Sequence, residues 1–138
     1  MISLIIGHKG SGKTKTLISC VNSAVESSDG NVVCVEKERL LTYDIDSRAR
    51  LVETDQYKVS GYTALYGFLA GMFAGNYDIT DMFVDATLRI GGRDFDELCA
   101  FLKRINYLSD EARVNCTFTI SADAEELPEE IFTFCKKI

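Results

Sequence analysis

Eight residues near the start of the chain, Gly7-His8-Lys9-Gly10-Ser11-Gly12-Lys13-Thr14, constrain its fold more than any other feature. They match G-x-x-x-x-G-K-[ST] without a departure, a match that arises by chance in roughly one chain in a few hundred of this length. The run also sits where its chemistry requires. Before it, Ile2-Ser3-Leu4-Ile5-Ile6 is apolar, β-rich and too short for a helix, which reads as a buried strand. After it, Leu17, Ile18, Val21 and Val25 recur at helical spacing until Ser27-Ser28-Asp29-Gly30 breaks the pattern. A glycine loop between a strand and a helix turns backbone amides inward around phosphate oxygens, and the helix N-terminus adds partial positive charge. Lys13 supplies a full charge, and Thr14 offers its hydroxyl to magnesium. The expected binding set is Gly7, His8, Lys9, Gly10, Ser11, Gly12, Lys13, Thr14 and Lys15. Within it His8, the chain's one histidine, holds a variable position that usually faces solvent, Lys9 reads either as rim solvent or as a phosphate contact, and Lys15 reads as a solvated helix lysine.

At 138 residues the chain has the length of one domain, taken here as residues 1–138. Asn31 to Val35 reads as a strand buried on both faces, ending at Glu36. Leu40 to Tyr43 and Ala49 to Val52 flank the turn-rich Asp44-Ile45-Asp46-Ser47 and predict a small hairpin or edge excursion. Gly61 to Gly75 predicts a helix, and the four-residue spacing of Gly67, Gly71 and Gly75 predicts that this face packs closely on a sheet. Ile79 to Asp85 reads as a strand closing on Met82-Phe83-Val84-Asp85. Asp94 to Leu108 carries an acidic cap and an apolar stripe at Leu98, Leu102 and Ile105, and Val114 to Ser121 is a β-branched and aromatic strand. Pro128 is placed for the first turn of a closing helix, Glu129 to Lys137. Alternating strands and helices imply an α/β fold in three layers: a mainly parallel sheet of four or five strands with helices on both faces.

Apolar residues make up 46% and charged residues 26%, as in ordinary globular chains, which excludes disordered and fibrous classes. A net charge of −6 argues against nucleic-acid binding. The first 25 residues nevertheless hold three lysines and no acid, a local basic island suited to a polyphosphate. Cys20, Cys34, Cys99, Cys116 and Cys135 show no metal-binding or C-x-x-C spacing and read as reduced thiols of a cytoplasmic protein. No leader is evident, and the longest apolar stretch, Ala64 to Ala74, holds about half the ~20 residues a membrane span needs.

The strand, G-H-K-G-S-G-K-T, the helix and M-F-V-D together resemble the P-loop NTPase superfamily. From the loop through N-Y-D-I-T-D-M-F-V-D to T-I-S-A-D-A-E-E-L-P-E-E-I, the chain also resembles a short bacterial family of ATP-binding proteins sometimes labelled twitching-motility ATPases. The pilus motors themselves carry a further domain and histidine boxes that this sequence lacks. The resemblance implies a P-loop NTPase fold, ATP and Mg2+ as ligands, and Asp85 as the magnesium acid beside Thr14. It assigns catalysis to Lys13, with Glu36 as the residue orienting water, because Ala86 stands where many such enzymes carry a glutamate. Glu36 reads equally as a solvated charge in Glu36-Lys37-Glu38-Arg39. Thr119 and Ser121 end the strand expected between those ending at Gly7 and Asp85, and Ser121 is favoured as γ-phosphate sensor. Arg89 and Arg93, then Arg48 and Arg50, are the arginines available to the transferring phosphate. GTP is disfavoured because N-K-x-D and D-x-x-G are absent. The expected activity is slow ATP hydrolysis or nucleotide sensing, with a protein partner or a homo-oligomer as docking target; a small-molecule kinase is the alternative enzyme.

Overall fold

Strands buried on both sides must find a helix for each side, and the computed structural model, which describes residues 1–40 and 44–138, shows how the chain meets that demand. In order it forms β1 (Ile2–Ile6), α1 (Lys13–Ser27), β2 (Asn31–Glu36), β3 (Arg50–Glu53), α2 (Tyr62–Gly75), β4 (Ile79–Asp85), α3 (Thr87–Gly91), α4 (Phe95–Ala112), β5 (Asn115–Ile120) and β6 (Cys135–Lys137). Six strands make one all-parallel sheet in the order β3-β2-β4-β5-β1-β6. β5 therefore lies between β1 and β4, the place that the resemblance implies for it.

Alternation along the strands sorts the core into two. Leu4, Val33, Val35, Met82, Val84, Phe118 and Ile120 point one way and pack with Leu65, Leu69 and Phe73 of α2 and Leu98, Leu102 and Ile105 of α4. Ile5, Val32, Cys34 and Phe83 point the other way, against Leu17, Val21 and Ala24 of α1. The result is three layers, with α1 alone on one face and α2 and α4 on the other. Asp94 starts α4 by accepting hydrogen bonds from the Asp96 and Glu97 amides, which satisfies two of the donors every helix start leaves open.

Several expectations need correction. The strand count is six rather than four or five. The segment expected to close the chain as a helix instead makes a 3-10 turn, Glu129–Thr133, followed by β6, which pairs with β1 through Ile2↔Cys135. A short segment gains little as a helix, whereas the open edge of β1 offers hydrogen bonds and burial for Cys135. Of the expected hairpin or edge excursion, Arg50–Glu53 forms an edge strand that runs parallel to β2, while residues 41–43, in the other arm, lie outside the described residues. Finally, Gly67, Gly71 and Gly75 are exposed, and a Cβ at any of them would meet nothing within 4 Å. The core side of α2 is Tyr62, Leu65, Leu69 and Phe73 instead, because large apolar side chains gain far more from burial than glycine does.

Among the described residues no helix is long and apolar enough to cross a membrane. All five cysteines are free, and burial raises the Cys116 and Cys135 thiols to about 12.

Candidate functional site

Parallel strands leave their loops at one end, and here the C-terminal ends of β1, β2, β4 and β5 form one polar edge. The β1–α1 loop turns at Gly10 and Gly12, whose φ angles of 87° and 90° lie in the region that disfavours side chains. The Gly7 amide donates to the Ile120 carbonyl at 3.2 Å, tying the loop's base to β5, and the Ser11 amide donates to the His8 carbonyl at 3.1 Å. Lys13 folds back across the loop, its Nζ donating to the His8 carbonyl at 2.9 Å. Desolvation lowers the Lys13 pKa, and the charge of Asp85 opposes that shift. Thr14 is exposed at the start of α1.

Beside the loop stand two acids on neighbouring strands. Glu36 and Asp85 are paired in the β2–β4 register, and both have the parity that faces α1. Thr119 of β5, 1% exposed, shares that parity and donates its hydroxyl to Asp85 Oδ1 at 2.5 Å. Glu36 is 3% exposed and accepts a hydrogen bond from the Leu40 amide, so it is no solvated member of its charged run. The other three pair on the surface: Lys37 with Asp55, Glu38 with Arg89, and Arg39 with Glu53. Below the acids, burial first and then the charges of Glu36 and Asp85 push the Cys34 thiol far up, which disfavours its thiolate. The Asp85–Ala86 peptide bond is cis.

Lys9, Gly10, Gly12, Lys13, Thr14, Lys15, Asp85, Ala86 and Ser121 line one cleft of about 640 Å3. An overlapping hollow of about 270 Å3 joins Glu36 to Thr14, Asp85 and Ala86. The expected loop lysines, Asp85, Glu36 and Ser121 thus converge. His8 does not line the cleft; it is exposed, with Nδ1 3.9 Å from the Asp123 carboxylate. Ser121 contributes a carbonyl that accepts from Arg93 at 3.1 Å, while the side chain contacting Asp85 is that of Thr119. Arg89 lines the cleft while paired with Glu38 at 2.9 Å. Arg48 and Arg50 border a different groove.

Sequence reading passed over Leu40 and Asp44, which line both hollows, and the Thr119–Asp85 contact. Leu40, 67% exposed, offers an apolar lip to the cleft. For Thr119 a signal was available: it lies one residue before the apolar Ile120, and strand parity places it on the α1 side. The arrangement brings the lysines of the loop and of the start of α1, the Thr14 hydroxyl and the carboxylates of Glu36, Asp44 and Asp85 around a space large enough for a small ligand. Hard oxygen donors of the kind Thr14 and Asp85 present suit magnesium. Comparison with protein-family models and with curated proteins finds no match to this chain.

Proposed function

We propose that the chain is a P-loop protein that binds ATP with magnesium and hydrolyses it slowly. The observation that carries this reading is that Lys13 and Thr14 of the glycine loop share one cleft with Asp85. Loop amides and Lys13 would hold the phosphates, releasing Lys13 from the His8 carbonyl. Thr14 and Asp85 would hold the metal, with Thr119 fixing the carboxylate's orientation. Magnesium, when bound, neutralises charge on the phosphate oxygens. Glu36, buried and oriented by the Leu40 amide, is the base available to a water, since Ala86 offers none. Support for the P-loop fold comes from the strand order. A strand between β1 and β4 favours the division that includes recombinase-like ATPases over the kinase–GTPase division, and the absent N-K-x-D favours ATP over GTP.

Thermal unfolding with and without Mg-ATP tests the assignment. At a hundredfold excess over Kd, a ligand bound only by the folded state adds roughly 2.7 kcal/mol, and Lys13→Ala should lose most of that stabilisation. Wild-type protein that gains nothing at millimolar Mg-ATP, or a Lys13→Ala protein that gains as much, would rule the site out. Turnover by the isolated chain should stay below about 10 s⁻¹. Glu36→Gln should lower kcat by about a hundredfold with nucleotide affinity nearly unchanged, as expected for a general base that acts in the transition state.

A further inference from the structure

β3, at the edge of the sheet, sets an arginine where its neighbour sets a valine: Arg50 stands in register with Val33 of β2. Alternation along β3 turns Val52 into the core on the α2 side and Leu51 toward α1, and Arg50 has the parity of Val52. Its side chain therefore borders a groove of about 560 Å3 between β3 and α2, a size typical of small-molecule sites. Val33, Val52 and Ile79 form the floor, and Phe68 and Met72 form the wall. α2 ends over this groove at Gly75, where no side chain fills the space. The groove lies at the starts of β2 and β4, the opposite end of the sheet from the glycine loop.

The two arginines at its mouth differ in what holds them. Arg48 is bound to Glu26 and Asp46, whereas among the described residues Arg50 makes no ion pair and no side-chain hydrogen bond. The Arg50 guanidinium thus borders the groove without a carboxylate partner among the described residues, in a chain with 21 acids against 15 bases. A guanidinium takes a carboxylate through two parallel hydrogen bonds, and an ion pair at the border of an apolar surface is less screened than one in open water. An apolar floor with one uncompensated cation at its rim is complementary to a single ligand class. We infer that this groove binds a small organic anion with an apolar body, its carboxylate on Arg50 and its body on Val33, Val52, Ile79, Phe68 and Met72.

The test uses the full chain and the fluorescent probe anilinonaphthalene sulfonate, displaced by decanoate or by decanol, which share an apolar body and differ in charge. Decanoate should displace the probe about tenfold more tightly than decanol, the effect of one charge-assisted contact. Arg50→Gln, a change at an exposed site whose folding is checked by circular dichroism, should bring the two competitors to equal affinity. Met72→Gln should weaken both. Lys13→Ala should leave both unchanged, which separates this groove from the nucleotide cleft. Equal displacement by acid and alcohol in the wild type, a preference that survives Arg50→Gln, absence of probe binding, or loss of displacement in Lys13→Ala would each overturn the inference.

Discussion

The two faces of the sheet differ most where their strands end. Toward α1, β2, β4 and β5 carry Glu36, Asp85 and Thr119; toward α2 and α4, the adjacent positions are Val35, Val84 and Ile120. One face has a single covering helix and a small apolar cluster, while the other has two long helices and most of the buried side chains. Polar groups can gather on the α1 side because the helices opposite already bury enough surface to hold the sheet together. A polar edge and a stabilising face are thus divided by the period of two along each strand.

The sharpest way to break this division is Phe118→Ala. Phe118 is fully buried on the α2–α4 face and meets Phe101 edge-on at a centroid distance of 5.7 Å. Urea denaturation should show a loss of about 3–5 kcal/mol, while the stabilisation by Mg-ATP, measured on the same variant, persists. If nucleotide stabilisation vanishes together with the fold's stability, the two faces do not act separately.

A smaller effect comes from Tyr62, the point where the stabilising face touches the segment after β4. Its hydroxyl donates to the Gly92 carbonyl at 2.7 Å. Tyr62→Phe should cost about 1 kcal/mol near neutral pH. Desolvation first, then the charges of Glu97 and Asp94, raises the Tyr62 pKa above its ordinary 10.0. A phenol raised in the folded state keeps its full contribution below pH 10 and loses it as pH climbs toward the folded value. Stability measured from pH 9 upward should therefore fall less steeply in Tyr62→Phe than in the wild type, and identical slopes would show that the hydroxyl is not shielded as described.

The smallest effect has the opposite sign. At Gly67 an added Cβ meets nothing within 4 Å, so Gly67→Ala should stabilise the protein by roughly 0.5–1 kcal/mol through helix propensity alone. A destabilised variant would mean that this face of α2 is covered rather than open.

β1, β2 and β4 were legible because short apolar runs end at glycine or acid, β5 because of its β-branched and aromatic content, and α4 because its stripe and Asp94 cap agree. α2 was legible as a helix but not in orientation. It has no charged residue, so no polar side marks the solvent, and glycine spacing pointed to the wrong face. β6 was hidden by its length, since three residues carry no period and their pairing depends on an edge formed by the other end of the chain. At the site, the glycine turn between β1 and α1 was legible, whereas the burial of Glu36 within Glu36-Lys37-Glu38-Arg39 was not. Nothing in that run distinguishes the one acid that faces inward from those that pair at the surface.

Local order along the chain determined the glycine loop, the strand that enters it, the helix that leaves it and the face each strand residue takes, because conformational preference and alternation act between near neighbours. Which strands lie side by side was decided only by the tertiary structure. Loop, Glu36, Asp85 and Thr119 come from four separate strands or their ends, and they meet because parallel pairing aligns the C-terminal ends of β1, β2, β4 and β5. Periodicity assigns a side chain to a face but names no partner strand; the partner is selected by burial and hydrogen bonding summed over residues far apart in the chain.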